Sequence, residues 1–192
     1  MIYDITQELF SGKVFPGDPA PSYERVLSIN NGDKCNLTML NMCAHNATHM
    51  DAPSHFVADG KTIDQVELEK CIGSATVVEI NGQITPDDIR SLGLKKVTRV
   101  LFKGNGILSP EAAQELVNQG IKLVGTEKQT VGSENDSAEV HMILLNNEIV
   151  ILEGVILREV PEGNYYLFAA PLKLGGLDGS PCRAVLCTCE EV

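Results

Sequence analysis

The chain has 192 residues, 43% of them hydrophobic and 21% charged, which excludes disorder and fibrous repeats and suits a single domain spanning residues 1–192. A formal net charge of -11 argues against a nucleic-acid partner, because phosphate binding needs clustered Lys and Arg and the Lys95-Lys96 pair is too small a cluster. The opening MIYDITQELF lacks the features of a secretory signal, and no run approaches the roughly 18 apolar residues of a membrane span. The six cysteines are too sparse for a disulfide scaffold and form no CxxC pair, so the expectation is reduced thiols in a cytoplasmic protein.

Turn signals at PGDP (16–19) and NNGD (30–33) divide the first forty residues into short predicted strands. Further on, ATVVEI (75–80), VTRVLF (97–102) and IKLVGT (121–126) read as strands, and two helices lie between them. Thr85 and Ser109 are good N-caps, each followed by proline at the first helical position, and Gly93 and Gly120 stop the helices. The alternation of strand and helix predicts an α/β domain with a mixed sheet flanked by helices.

In the next segment Asp136 and Glu139 form a D-x-x-E start signal, and Asn146-Asn147 can end a short helix carrying Val140, Leu144 and Leu145. The competing reading is a β-hairpin turning at the asparagines, with His141 and Glu153 roughly opposite each other. In the helix reading the two can still meet at the end of the following strand, IVILEGVIL (149–157). NYYLFAA (164–170) and RAVLCTC (183–189) close the chain as two strands joined by the Gly-rich loop LKLGGLDGSP.

Only four histidines occur, and three of them, His45, His49 and His55, fall within eleven residues in HNATHMDAPSHF. A spacing of four puts His45 and His49 on one face of either a helix or a strand, and Asp51 continues that face if the segment is extended. Two imidazoles and a carboxylate suit Zn²⁺, Mn²⁺ or Fe²⁺ with coordination positions left open. Pro53 argues against a continuous helix, so the predicted ligands lie where a strand gives way to a loop, the usual place for chemistry in α/β proteins. The zincin pattern HExxH is absent, because Asn46 stands where its glutamate belongs. Cys43 and the Cys187-Thr188-Cys189 run are read as small hydrophobes rather than as ligands or nucleophiles.

These residues resemble the cyclase family of metal-dependent hydrolases, which includes bacterial kynurenine formamidases and isatin hydrolases. The family signature H-x-G-T-H-x-D-x-P-x-H is met by His45, Thr48, His49, Asp51, Pro53 and His55, with Ala47 in place of the glycine. The resemblance runs from PGDP through HMILLNNEIVILEG to APLKLGGLDGSPCRAVL. It implies a cyclase-like (swivelling β/β/α) fold and a homo-oligomer, a dimer or tetramer. It further implies a metal, zinc or manganese, held by His45, His49 and Asp51, with Asp51 bridging to a second ion at His141 and Glu153.

In that setting His55 is the expected catalytic proton carrier, since an unperturbed imidazole titrates near neutrality. The expected reaction is cleavage of an amide C–N bond in a small molecule, either an arylformamide such as N-formylkynurenine or a cyclic amide. Phe15, where formamidases often carry tryptophan, Tyr23 and Phe56 are the candidate residues for stacking on a flat ring. A metal-binding or ligand-sensing protein without turnover is the alternative, though it has no use for a proton carrier at His55.

Overall fold

In the computed structural model, which describes residues 1–94 and 97–188, the chain begins with β1 (Ile2–Asp4), β2 (Ser22–Leu27), β3 (Leu37–Asn41), β4 (His49–Asp51), α1 (Leu68–Cys71) and β5 (Ile72–Glu79). It continues through β6 (Gln83–Ile84), α2 (Pro86–Ser91), β7 (Arg99–Lys103), β8 (Ile107–Leu108), α3 (Pro110–Asn118), β9 (Leu123–Thr126) and α4 (Ser137–Asn146). The last elements are β10 (Val150–Glu153), β11 (Gly163–Phe168), β12 (Gly179–Pro181) and β13 (Val185–Thr188). Lys95, Lys96 and Cys189, each part of an expectation above, lie outside the described residues.

Among the described residues, nine strands form one mixed, curled sheet in the order β1-β13-β11-β5-β7-β9-β10-β4-β12. Its middle, β5, β7, β9 and β10, is parallel, and α2, α3 and α4 are the crossovers between successive members. Alternation along these strands divides the core. Leu101, Leu123 and Leu152 face one apolar cluster, while Val100, Phe102, Val124 and Ile151 face a second that includes residues of α2, α3 and α4. Complete burial of one such side chain contributes roughly 1.5–3 kcal/mol. None of the described helices is long and apolar enough to cross a membrane.

The caps act as the residue types require. Thr85 Oγ1 accepts from the Asp88 N–H while the Asp88 carboxylate accepts from the Thr85 N–H, and Ser109 Oγ accepts from the Ala112 N–H at 3.1 Å. The segment after β9 is the helix α4, not the hairpin. Its expected capping box is absent, however: Asp136 makes no side-chain cap and accepts instead from Ser133 Oγ at 2.8 Å. The strand expected over 149–157 ends at Glu153, because Gly154 turns the chain in the left-handed region at φ +69°.

Two further features depart from the sequence reading. The Gly-rich loop contains a strand, β12, which pairs with β4 at the sheet edge, where proline costs no ladder hydrogen bond to a further neighbour. β2 and β3 form a separate two-stranded sheet in which every strand residue is exposed.

Candidate active site

The site is assembled around β4, which lies between β10 and β12 and is wholly buried. His49 and Asp51, two residues apart, project from one face of it. The antiparallel register then sets Glu153 opposite His49. His49 Nε2 lies 3.3 Å from Asp51 Oδ1 and 3.5 Å from Glu153 Oε2, and its Nδ1 is 3.0 Å from the Ala47 carbonyl, which takes the N–H and leaves Nε2 facing the carboxylates. Glu153 stands at the carboxyl end of a parallel strand, the rim where open α/β sheets bind ligands.

His45 joins this group through a turn rather than by strand or helix periodicity. Asn46 Oδ1 accepts from the Cys43 N–H at 2.8 Å, and Ala47 takes φ +56°, the left-handed conformation that glycine would adopt at no steric cost. Thr48 Oγ1 fastens the turn to the end of β10 by donating to the Gly154 carbonyl at 2.7 Å, and accepts from the Gln7 N–H. The result puts His45 Nδ1 2.8 Å from Asp51 Oδ1. On the other side β12 must pass close: a Cβ on Gly179 would sit 2.6 Å from His45 Cε1.

His141, on α4, reaches the same carboxylates from the helical layer, with Nε2 3.5 Å from Asp51 Oδ2 and 3.4 Å from Glu153 Oε1. Its Nδ1 is 2.7 Å from the Ser137 carbonyl, which fixes the ring as the Ala47 carbonyl fixes His49. His55, in the 3₁₀ turn Pro53–His55, stacks on His45 with ring centroids 4.0 Å apart. Phe56 stacks on His141 at 4.6 Å. A cavity of about 290 Å³ opens over the histidines, with Phe15, Phe56, Cys43, Gln129 and Thr130 also in its wall. Tyr23 is not in that wall and packs edge-on against Phe10 at 5.1 Å.

Burial acts to raise the Asp51 carboxyl, but His141, His45 and His49 hold it well below the usual carboxylate range. Glu153 goes the other way, pushed up by burial and by the neighbouring Asp51 charge. For His45 and His141 burial acts downward, yet the surrounding carboxylates carry them up to about 9 and about 10. His55 is held below the ordinary imidazole value, mainly by its burial.

Asp51 Oδ2 is buried without a hydrogen-bond partner among the described residues, a costly state for a carboxylate oxygen. Two ligand triads converge on that carboxylate, His45-His49-Asp51 and Asp51-His141-Glu153, each with its donor atoms within 4.8 Å of one another. An orphaned oxygen between two imidazole-carboxylate sets fits a divalent cation. Cys43 belongs to neither triad.

The sequence reading missed Asp178. It is the one acid between Glu162 and Glu190, and it sits among glycines in LGGLDGSP, a signal available in the sequence. Its Oδ2 lies 2.8 Å from His45 Nε2 and 3.3 Å from His55 Nδ1.

A mixed α/β fold with a buried His/Asp/Glu cluster able to hold a divalent metal defines the class of protein. The family model Cyclase ("Putative cyclase") matches residues 3–133. The chain is 34% identical to a kynurenine formamidase of Erythrobacter litoralis (strain HTCC2594), over 96% of this chain and 93% of that protein. Among solved structures, a predicted metal-dependent hydrolase from Bacillus stearothermophilus is similar with a TM-score of 0.83 and 28% identity, over 97% of each chain. Isatin hydrolase A from Labrenzia aggregata shares the fold with a TM-score of 0.84 at 22% identity, over 99% of this chain and 94% of that one. The chain belongs to the cyclase family and is a hydrolase of that family.

Proposed function

We propose that the protein is a metal-dependent amidohydrolase that cleaves the C–N bond of a small aryl formamide, with a cyclic aryl amide as the second substrate class. The observation that carries this reading is the pair of triads sharing Asp51 beneath a cavity walled by Phe15 and Phe56. The likeness to a kynurenine formamidase over nearly the whole chain favours the formamide. His45, His49 and Asp51 would hold one divalent ion, zinc or manganese, and Asp51, His141 and Glu153 a second. When bound, such a cation supplies Lewis acidity, activating water at neutral pH and polarising an amide carbonyl.

The chain's own residues do the rest. His55, kept neutral at pH 7 by its burial, accepts a proton from the attacking water at Nε2, the ring nitrogen not facing Asp178. It returns that proton to the departing amine nitrogen as the C–N bond breaks. Phe15 and Phe56 hold the flat ring against the cavity wall. A purely metal-binding or sensing role leaves the placement of His55 beside the cluster without a purpose.

Protein reconstituted with zinc or manganese and supplied with N-formylkynurenine is expected to release formate, and with isatin to open the ring more slowly. Failure of both with a fully metal-loaded protein would reject this reading. We further propose that the protein is cytoplasmic and that it forms a homo-oligomer, the latter supported by the exposed apolar side chains of the β2–β3 hairpin, which by itself is a marginal structure.

A further inference from the structure

We propose that Asp178 is a positioning residue whose single carboxylate oxygen selects the tautomers of His45 and His55 together, turning His45 Nδ1 toward the Asp51 group and leaving His55 Nε2 as the base. The role in turnover rests on the amidohydrolase reading above; the role in tautomer selection does not.

The backbone places Asp178 without help from its side chain. Its carbonyl accepts from the Ala52 N–H at 2.9 Å, and the next residue, Gly179, pairs with Asp51 in the sheet register. Because Gly179 has no Cβ, β12 comes close enough for Asp178 to reach His45 from the side opposite Asp51. One oxygen, Oδ2, then faces Nε2 of His45 and Nδ1 of His55, two rings stacked at 4.0 Å with an interplanar angle of 26°.

The consequence follows from hydrogen-bond chemistry. An ionised carboxylate only accepts, so each nitrogen facing it carries the N–H. A neutral imidazole has one N–H, so its other nitrogen carries the lone pair. For His45 that nitrogen is Nδ1: it too faces a carboxylate, Asp51 Oδ1 at 2.8 Å, so it gives up its proton only when a cation is held in the first ligand triad, while Asp178 keeps the N–H on Nε2. For His55 it is Nε2, the atom needed to accept a proton. His49 and His141 are oriented by backbone carbonyls, at Ala47 and Ser137. The two stacked rings share the Asp178 oxygen, on the side of His45 away from Asp51. A carboxylate behind a ligating histidine is a recurring device for fixing ring orientation and raising basicity.

Asp178→Ala and Asp178→Asn, each loaded with zinc, test this. Two-bond ¹H–¹⁵N spectra of the wild type should show His55 protonated at Nδ1 and His45 at Nε2. In Asp178→Ala the His55 proton should move toward Nε2, and chelator competition should show metal affinity reduced about 10–100-fold. In turnover, kcat should fall by a similar factor with KM nearly unchanged, because the proton carrier rather than the ring-binding wall is disturbed. Asp178→Asn, which retains an acceptor oxygen but not the charge, should be intermediate, and it provides the same readings if the alanine variant fails to fold. Unchanged tautomers and unchanged metal affinity in the variants would overturn the proposal. So would loss of one whole equivalent of metal with the tautomers intact, which would make Asp178 a ligand. If the wild type turns over neither amide, the amidohydrolase reading fails, while the spectra and the metal affinity still decide the role of Asp178.

Discussion

The hairpin β2–β3 and the strand β4 follow each other in the chain, joined by residues 42–48, and their environments are inverted. β4 is buried and carries His49 and Asp51, whereas the hairpin is exposed and carries Tyr23, Leu37, Met39 and Leu40. Polar groups are inside and large apolar groups outside, the opposite of what burial energetics favour. These two departures from the usual pattern have different remedies. β4 offsets the cost of desolvation by gathering carboxylates and imidazoles, with one Asp51 oxygen left for a cation. The hairpin has no such remedy within its own sheet, and a second copy of the chain would provide one.

The largest effect should come from the centre of the buried side. Asp51→Ala removes the residue common to both triads, so metal content after reconstitution should collapse and activity should fall by more than the roughly 10–100-fold that loss of a supporting partner costs. Elemental analysis and turnover measure this together; full metal occupancy would end the two-triad assignment. His55→Ala should separate binding from chemistry, retaining metal while losing about 10²- to 10⁴-fold in rate. An emptied site in that variant would make His55 a ligand instead.

A pH series on metal-free protein probes the same cluster without catalysis. His45 and His141 are raised in the folded state, so between pH 6.5 and about 9 or 10 the folded protein binds more protons than the unfolded one. The stability they contribute is complete below pH 6.5 and is lost as pH rises through that window, and thermal melts should show the decline. Metal affinity should change in the opposite sense, rising with pH, because ligation displaces those protons. A metal-free protein that gained stability from pH 7 to 9 would contradict the assigned pairing.

Smaller effects belong to the connecting turn and the hairpin. Ala47→Gly should stabilise the fold by about 1 kcal/mol by relieving the left-handed backbone, as read from a chemical-denaturation midpoint. Met39→Ser combined with Leu40→Ser should change the unfolding free energy of the isolated chain by no more than about 0.5 kcal/mol, since both residues are exposed. Sedimentation should nevertheless shift toward a species near 20.8 kDa. A wild type that already sediments as a monomer would remove the oligomer proposal.

The sequence by itself determined the elements whose signals are local. The caps Thr85 and Ser109, the β-branched runs of β5, β7 and β9, and the clustering of His45, His49, Asp51 and His55 all depend on neighbours within a few residues, where propensity and periodicity act. The distant pair His141 and Glu153 was legible only through resemblance to a family. Tertiary structure alone decided that α4 is a helix, that Glu153 is in register with His49, and that the Gly-rich loop contains β12. It also decided that Asp178, 133 positions from His45, shares a hydrogen-bond network with it. The physical reason is that strand register and sheet order are chosen by which long-range pairing buries the most apolar surface while satisfying the backbone, and a glycine-rich segment such as 175–179 has almost no local preference with which to announce the outcome.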